Sequence, residues 1–306
     1  MKRAARWLGV LIGVLGGAFV VRELLRNREE VAAAVSGAHP LALGAAFVIG
    51  LMSMTIIGLG WHRCLGLLGA SRPTRDTLRD YFISQLGKYL PGGIWPILGR
   101  AELARRDGVS GSAAYGSSML SLALTHLAAP LTAAGALLAG AGGGREVTWQ
   151  PVIALVPVGL AALHPWSIER VLRIMRRLSH RELAITVPRW RTSISLLLWY
   201  VPAWIGVSTA TWFIASTLDT GTADFRNLMF ATTLSWVVGF LAIGVPGGIG
   251  VREAVFITTA TSLSSSGVAA AVSVVARVVF IAVDVSGAGV SALLAGRQRH
   301  EHVDPH

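Results

Sequence analysis

Apolar residues run through this chain in long blocks separated by short, arginine-rich stretches. Blocks at about 7–21, 41–61, 112–140, 150–165, 193–217 and 267–295 read as six membrane-spanning helices, the bilayer core requiring roughly 20 apolar residues per helix. Two further blocks, about 81–99 and 227–262, are apolar but interrupted by proline and glycine. They predict segments that enter the membrane and turn back. The expected architecture is an all-α polytopic bundle of about six spans plus two re-entrant hairpins. It forms one integral membrane domain over 1–306, with pseudo-repeats at about 41–140 and 193–296.

The two interruptions share a tetrapeptide. Pro91-Gly92-Gly93-Ile94 and Pro246-Gly247-Gly248-Ile249 each follow an apolar run and precede an arginine and a glutamate, Arg100 and Glu102 in one case, Arg252 and Glu253 in the other. Such a break ends a helix and bares backbone polar groups. Lipid cannot satisfy them, so the break must face protein or a wet cavity. One interrupted segment in each half of a chain points to a transporter-type site between repeats.

Composition agrees with a membrane domain. Of 306 residues 53% are hydrophobic and 14% charged, where soluble domains carry about a quarter charged residues; mean hydropathy is +0.59. The formal net charge of +11 is an orientation signal rather than a nucleic-acid footprint, because cytoplasmic loops of membrane proteins collect arginine. With the N-terminus inside and both breaks re-entering, loops 63–80, 100–110 and 166–192 and both termini lie in the cytoplasm, with most arginines. Loops 141–149 and 218–226 lie outside with one arginine each. Arg22, Arg26 and Arg28 in the 22–40 connector fit this less well. On this topology the first break enters from the cytoplasmic side and the second from the opposite side, an inverted pair. Lys2, Arg3 and Arg6 before 7–21 imitate a secretory leader, but we read a retained first span. Its Gly9, Gly13 and Gly17 form a close-packing stripe for another helix of the bundle or a second copy. Within 166–192, Arg170, Arg177 and Arg181 share one helical face and Val171, Met175 and Leu178 another, as in an interfacial amphipathic helix or a solvated topogenic loop.

Few residues offer chemistry. Each Pro-Gly-Gly break starts a new half-helix whose free N–H groups favour an anion. Lys88, Arg100 and Arg252 add formal charge, and arginine suits phosphate. Ionisable residues within membrane segments are functional candidates, here Glu253, Arg277 and Asp284. Arg277 and Asp284 share a face of the last span, either as an ion pair or each with a partner elsewhere. His126 reads as a hydrogen-bonded core residue. Most tryptophans, Trp7, Trp61, Trp149, Trp166 and Trp190 among them, read as interfacial anchors; Trp95 alone is placed to line a site. Asp76 and Asp80 beside four arginines are weak evidence for metal. No cofactor motif, zinc-protease motif, Walker loop or nucleophile elbow is present, and the lone Cys64 allows no intramolecular disulfide.

These motifs carry a family resemblance. Gly87-Lys88-Tyr89-Leu90-Pro91-Gly92-Gly93 with Gly99-Arg100, and Val245-Pro246-Gly247-Gly248-Ile249-Gly250-Val251-Arg252-Glu253, resemble the membrane region of lysylphosphatidylglycerol synthases, the flippase-like uncharacterised protein family 0104. Arg277 looks like that family's late arginine; Asp284 and the 166–192 loop have no clear counterpart. The resemblance spans about 5–295. It implies a lipid-translocating domain in the cytoplasmic membrane, without the soluble aminoacyl-transfer domain to which relatives are fused.

The resulting expectation is flipping or scrambling of a phospholipid or polyprenyl-phosphate-linked lipid. Lys88, Pro91, Gly92, Gly93, Trp95, Arg100, Pro246, Gly247, Gly248, Arg252, Glu253, Arg277 and Asp284 would form the headgroup site. No catalytic residue, metal or cofactor is expected. The partners would be membrane lipids, with a homodimer or a cell-envelope enzyme as further possibilities. A membrane transferase acting on a lipid phosphate, or a non-transporting partner of a lipid enzyme, are the alternatives.

Overall fold

A computed structural model describes residues 39–90, 93–141, 189–219, 223–242 and 248–301, side chains through 293, and isolated positions between 29 and 170. Span 7–21, most of 150–165, the Gly9/Gly13/Gly17 stripe, most of 166–192, and Pro91, Gly92, Pro246 and Gly247 lie outside the described residues.

Eight α-helices and no strand occur among the described residues. They are α1 (Pro40–Leu67), α2 (Thr74–Gln85), α3 (Trp95–Arg106), α4 (Gly111–Leu138), α5 (Trp190–Leu218), α6 (Phe225–Leu241), α7 (Val251–Thr259) and α8 (Ser266–Glu301). A single 3-10 turn, Leu86–Tyr89, extends α2. Helices α1, α4, α5 and α8 are long and apolar enough to cross a membrane, and they match the expected runs at 41–61, 112–140, 193–217 and 267–295. Helix α4 continues through Pro130, and α5 through Pro202.

Burial is arranged as lipid requires. Leu41, Val48, Met52, Met119, Leu198 and Leu293 are more than half exposed, while Ser53, Ser117, Ser121, Ser208 and Thr211 are buried. Buried hydroxyls mostly bond the carbonyl three or four residues back, as Thr125 does to Ser121 and Ser208 to Trp204, which satisfies them without a partner helix. Close contacts hold the long helices together. A β-carbon at Gly60 would meet Tyr200 at 2.5 Å, and one at Gly206 would meet Ser53 Oγ at 2.3 Å, so α1 and α5 pack backbone against side chain along the centre. Trp61 belongs to this core and is not an interfacial anchor. It is fully buried, and its Nε1 donates to Ser117 Oγ at 3.1 Å.

Each predicted interruption is a helix–break–helix unit whose limbs pack together. Helices α2 and α3 have 12 residues each and α7 has nine, about 18 and 14 Å at 1.5 Å per residue, too short for a core of about 30 Å. The third residue of the two tetrapeptides has the same left-handed backbone, φ +65° at Gly93 and +68° at Gly248, a conformation glycine adopts without steric cost. Both bases are clasped. Asp107 Oδ2, just after α3, accepts from Arg72 at 2.8 Å and Arg79 at 2.7 Å, and buried Asp80 lies 2.9 Å from each arginine. Arg79 also reaches Asp76 at 3.5 Å, so arginines engage both members of the Asp76/Asp80 pair. In the second hairpin the neutral Asn227 Nδ2 donates to Thr259 O and Thr261 Oγ1, while its Oδ1 accepts from Ser262 N.

The packing crosses over. The first hairpin lies against α8, where a β-carbon at Gly287 would meet Phe82 at 2.3 Å. The second lies against α4, where Phe240 stacks on His126 at 3.7 Å. His126 Nδ1 also bonds Leu122 O, the core role expected of it.

Candidate functional site

The end of each hairpin carries a cation, and both cations reach one indole. Lys88, in the 3-10 turn, places Nζ 5.7 Å from the Trp236 ring centre. Arg252, the second residue of α7, places Cζ 3.8 Å from it. Trp236 itself is held edge-on by Trp204 of α5 at 5.8 Å and Phe280 of α8 at 5.3 Å. An indole face attracts cations through its quadrupole, more strongly where water is scarce.

Two carboxylates complete the cluster. Asp284 of α8 is fully buried, 2.5 Å from Lys88 Nζ, and accepts from the Tyr89 hydroxyl at 2.6 Å; its Oδ1 has no partner. Glu253 accepts from the Gly250 backbone N–H at 2.6 Å and from Arg277 Nη1. Arg277 and Asp284 are therefore not a pair. Seven residues apart on one helix, they are separated by about 10 Å of rise, and each takes a partner from a hairpin. Arg252 forms no ion pair among the described residues. The N-terminus expected to be open to an anion is partly closed, because Glu253 caps α7 from within.

A small polar cavity lies beside this cluster, lined by Thr211, Thr232, Ser235, Trp236, Arg252, Glu253, Phe256, Ser273, Ala276 and Arg277. It has room for water but not for a whole headgroup.

The expected site residues therefore separate. Lys88, Arg252, Glu253, Arg277 and Asp284 come together. Gly248 supports them, its backbone tight against Gly239; a β-carbon at Gly248 would meet Gly239 Cα at 2.9 Å. Gly93 is exposed at its tip. Trp95 starts α3 and packs on Gly87; the tryptophan of the cavity is Trp236. Arg100 is not among the cavity residues. It is buried in α3, with Nη2 donating to Ser118 O at 2.7 Å, Cζ 5.3 Å from the Trp61 ring and Nε unpartnered. Sequence reasoning missed Trp236, Tyr89, Gly239 and the four cavity hydroxyls. A tryptophan within an apolar run, away from any span end, was the available signal for the first.

No curated protein matches the chain. The family model described as the lysylphosphatidylglycerol synthase TM region, a membrane domain linked to lipid handling, matches residues 6–285. On that match and on its spanning helices, this multi-pass membrane protein belongs to the lysylphosphatidylglycerol synthase TM region family.

Proposed function

We propose that the protein moves a phosphate-bearing lipid, a phospholipid or a polyprenyl-phosphate-linked lipid, between the leaflets of the cytoplasmic membrane. The observation that carries this reading is the meeting of Lys88 and Arg252 over Trp236 inside a bundle with an apolar exterior. Charge at such depth is costly and marks ion or substrate pathways. Two of the three cations are neutralised by Asp284 and Glu253. Arg252 remains available for a phosphate, with Arg277 beside it in the cavity wall. The head would sit there with fixed dipoles and guanidinium groups replacing its water, while the acyl chains stay in lipid.

The short limbs α2, α3 and α7 support a re-entrant reading. The order long helix, hairpin, long helix occurs twice, and each hairpin packs on the long helix that follows the other one. This is the arrangement expected of two interlocked inverted repeats rocking about a central site. The arginine-rich base of the first hairpin then faces the cytoplasm. Arg100, held by Ser118 and Trp61, is left out of the phosphate contacts.

Reconstitution in liposomes with fluorescent lipids and a membrane-impermeant quencher tests the proposal. Wild type is expected to expose inner-leaflet label, and Arg252→Ala to lose at least tenfold in rate. Normal transport by Arg252→Ala would sink the assignment. A new lipid product formed by the purified protein would favour the transferase reading.

A further inference from the structure

Resting on this lipid-moving reading, we propose that the cavity selects a headgroup whose phosphate carries free hydroxyls and no ammonium group. Four hydroxyl side chains from three helices line it: Thr211 of α5, Thr232 and Ser235 of α6, and Ser273 of α8. Thr232 is 2% exposed, yet its Oγ1 has no hydrogen-bond partner. A buried hydroxyl left in that state is costly, and one at a cavity wall is satisfied by what enters. Thr211 and Ser235 donate to the backbone carbonyls of Val207 and Thr232. Each keeps oxygen lone pairs to accept from a ligand hydroxyl. The wall thus has a free donor at Thr232 and acceptors on both sides of it, beside the Arg252 guanidinium.

An ammonium headgroup meets the opposite conditions. Lys88, Arg252 and Arg277 outnumber Glu253 and Asp284, and both carboxylates are engaged with Arg277 and Lys88. Both Glu253 oxygens are taken, and the free carboxylate oxygen of the cluster, Asp284 Oδ1, does not line the cavity. The aromatic face that would otherwise hold a quaternary amine, Trp236, is already occupied by Arg252 and Lys88. A phosphate esterified to a polyol matches both halves of the site, its anion at Arg252 and its hydroxyls at the threonine–serine wall.

The test uses full-length protein in vesicles carrying acyl-labelled lipids with glycerol, choline, ethanolamine or serine headgroups, read by quencher-accessible fluorescence. The glycerol lipid should move at least tenfold faster than the choline and ethanolamine lipids. It should also outrun the serine lipid, which is anionic but bears an ammonium. Thr232→Val should cut the glycerol rate at least fivefold and the choline rate by much less, so that the preference collapses, while Thr232→Ser should restore it. A second vesicle set with a glycosylated polyprenyl phosphate separates sugar from glycerol as the source of the hydroxyls. Equal rates for glycerol and serine headgroups, or a preference that survives Thr232→Val, would overturn the inference while leaving lipid movement in place. Movement of no lipid would remove both.

Discussion

Gly239 on α6 lies directly beneath the stem of Arg252 on α7. A β-carbon at 239 would stand 2.1 Å from Arg252 Cγ and 2.9 Å from its Cδ. The absence of a side chain there lets the guanidinium lie on Trp236. Gly239→Ala is expected to rotate Arg252 off the indole and reduce lipid movement at least tenfold, with stability lowered by about 1–3 kcal/mol. Because both changes act through one side chain, Gly239→Ala combined with Arg252→Ala should be no slower than Arg252→Ala alone. Rate measurements on the three variants decide this; additive losses would show that Gly239 acts elsewhere.

Lys88 and Asp284 test the second charge pair. Asp284→Asn leaves Lys88 beside a neutral amide in a mostly buried position. The expected loss is about 3 kcal/mol, the low end for breaking a buried pair, since Lys88 keeps partial exposure. Lys88→Met with Asp284→Asn should recover most of it. Thermal unfolding in detergent reads both, and a double variant as unstable as Asp284→Asn would refute the pairing argument.

The base of the first hairpin separates buried from exposed charge. Asp80 has no solvent exposure and sits 2.9 Å from both Arg72 and Arg79, whereas the Asp107 side chain is 42% exposed. Asp80→Ala leaves the buried Arg72 poorly compensated and should cost about 3–5 kcal/mol. Asp107→Ala should cost at most about 1 kcal/mol. Similar melting temperatures for the two variants would mean that burial does not set the strength of this clasp.

Arg100 supplies a contrast to Arg252. Its carbonyl partner and the Trp61 ring are neutral, so Arg100→Met removes a buried charge without stranding a counter-ion. Melting temperature should be unchanged or higher, and lipid movement should stay within about twofold of wild type. A tenfold loss of transport with unchanged stability would return Arg100 to the phosphate contacts.

Much of the scaffold was legible in the sequence, for reasons particular to membranes. Spans such as Pro40–Leu67 and Trp190–Leu218 announce themselves because length and hydropathy alone decide insertion, and the Pro-Gly-Gly breaks because lipid forbids bare backbone elsewhere. The five clustered charged residues were recognisable by the cost of placing charge among apolar neighbours. Their pairing was not. Helical phase put Arg277 and Asp284 on one face, but phase says nothing about which hairpin reaches which residue, and Glu253 and Lys88 took them separately. Arg100 and Arg252 looked equivalent after their matching tetrapeptides. Yet Arg252 is the second residue of its helix and Arg100 the sixth, so one faces the cavity and the other is buried against α4.

The crossed packing also orders events on the ribosome. Lys88 is made about 200 residues before Asp284, roughly 10–40 s earlier at about 5–20 residues per second. During that interval the first hairpin carries a cation with no counter-charge, and its docking surface around Gly287 does not yet exist. The Lys88–Asp284 and Phe82–Gly287 contacts are therefore among the last to form, after the hairpin has packed on α1 and α4. Until α8 arrives, Lys88 has no buried counter-charge to hold it in the bundle.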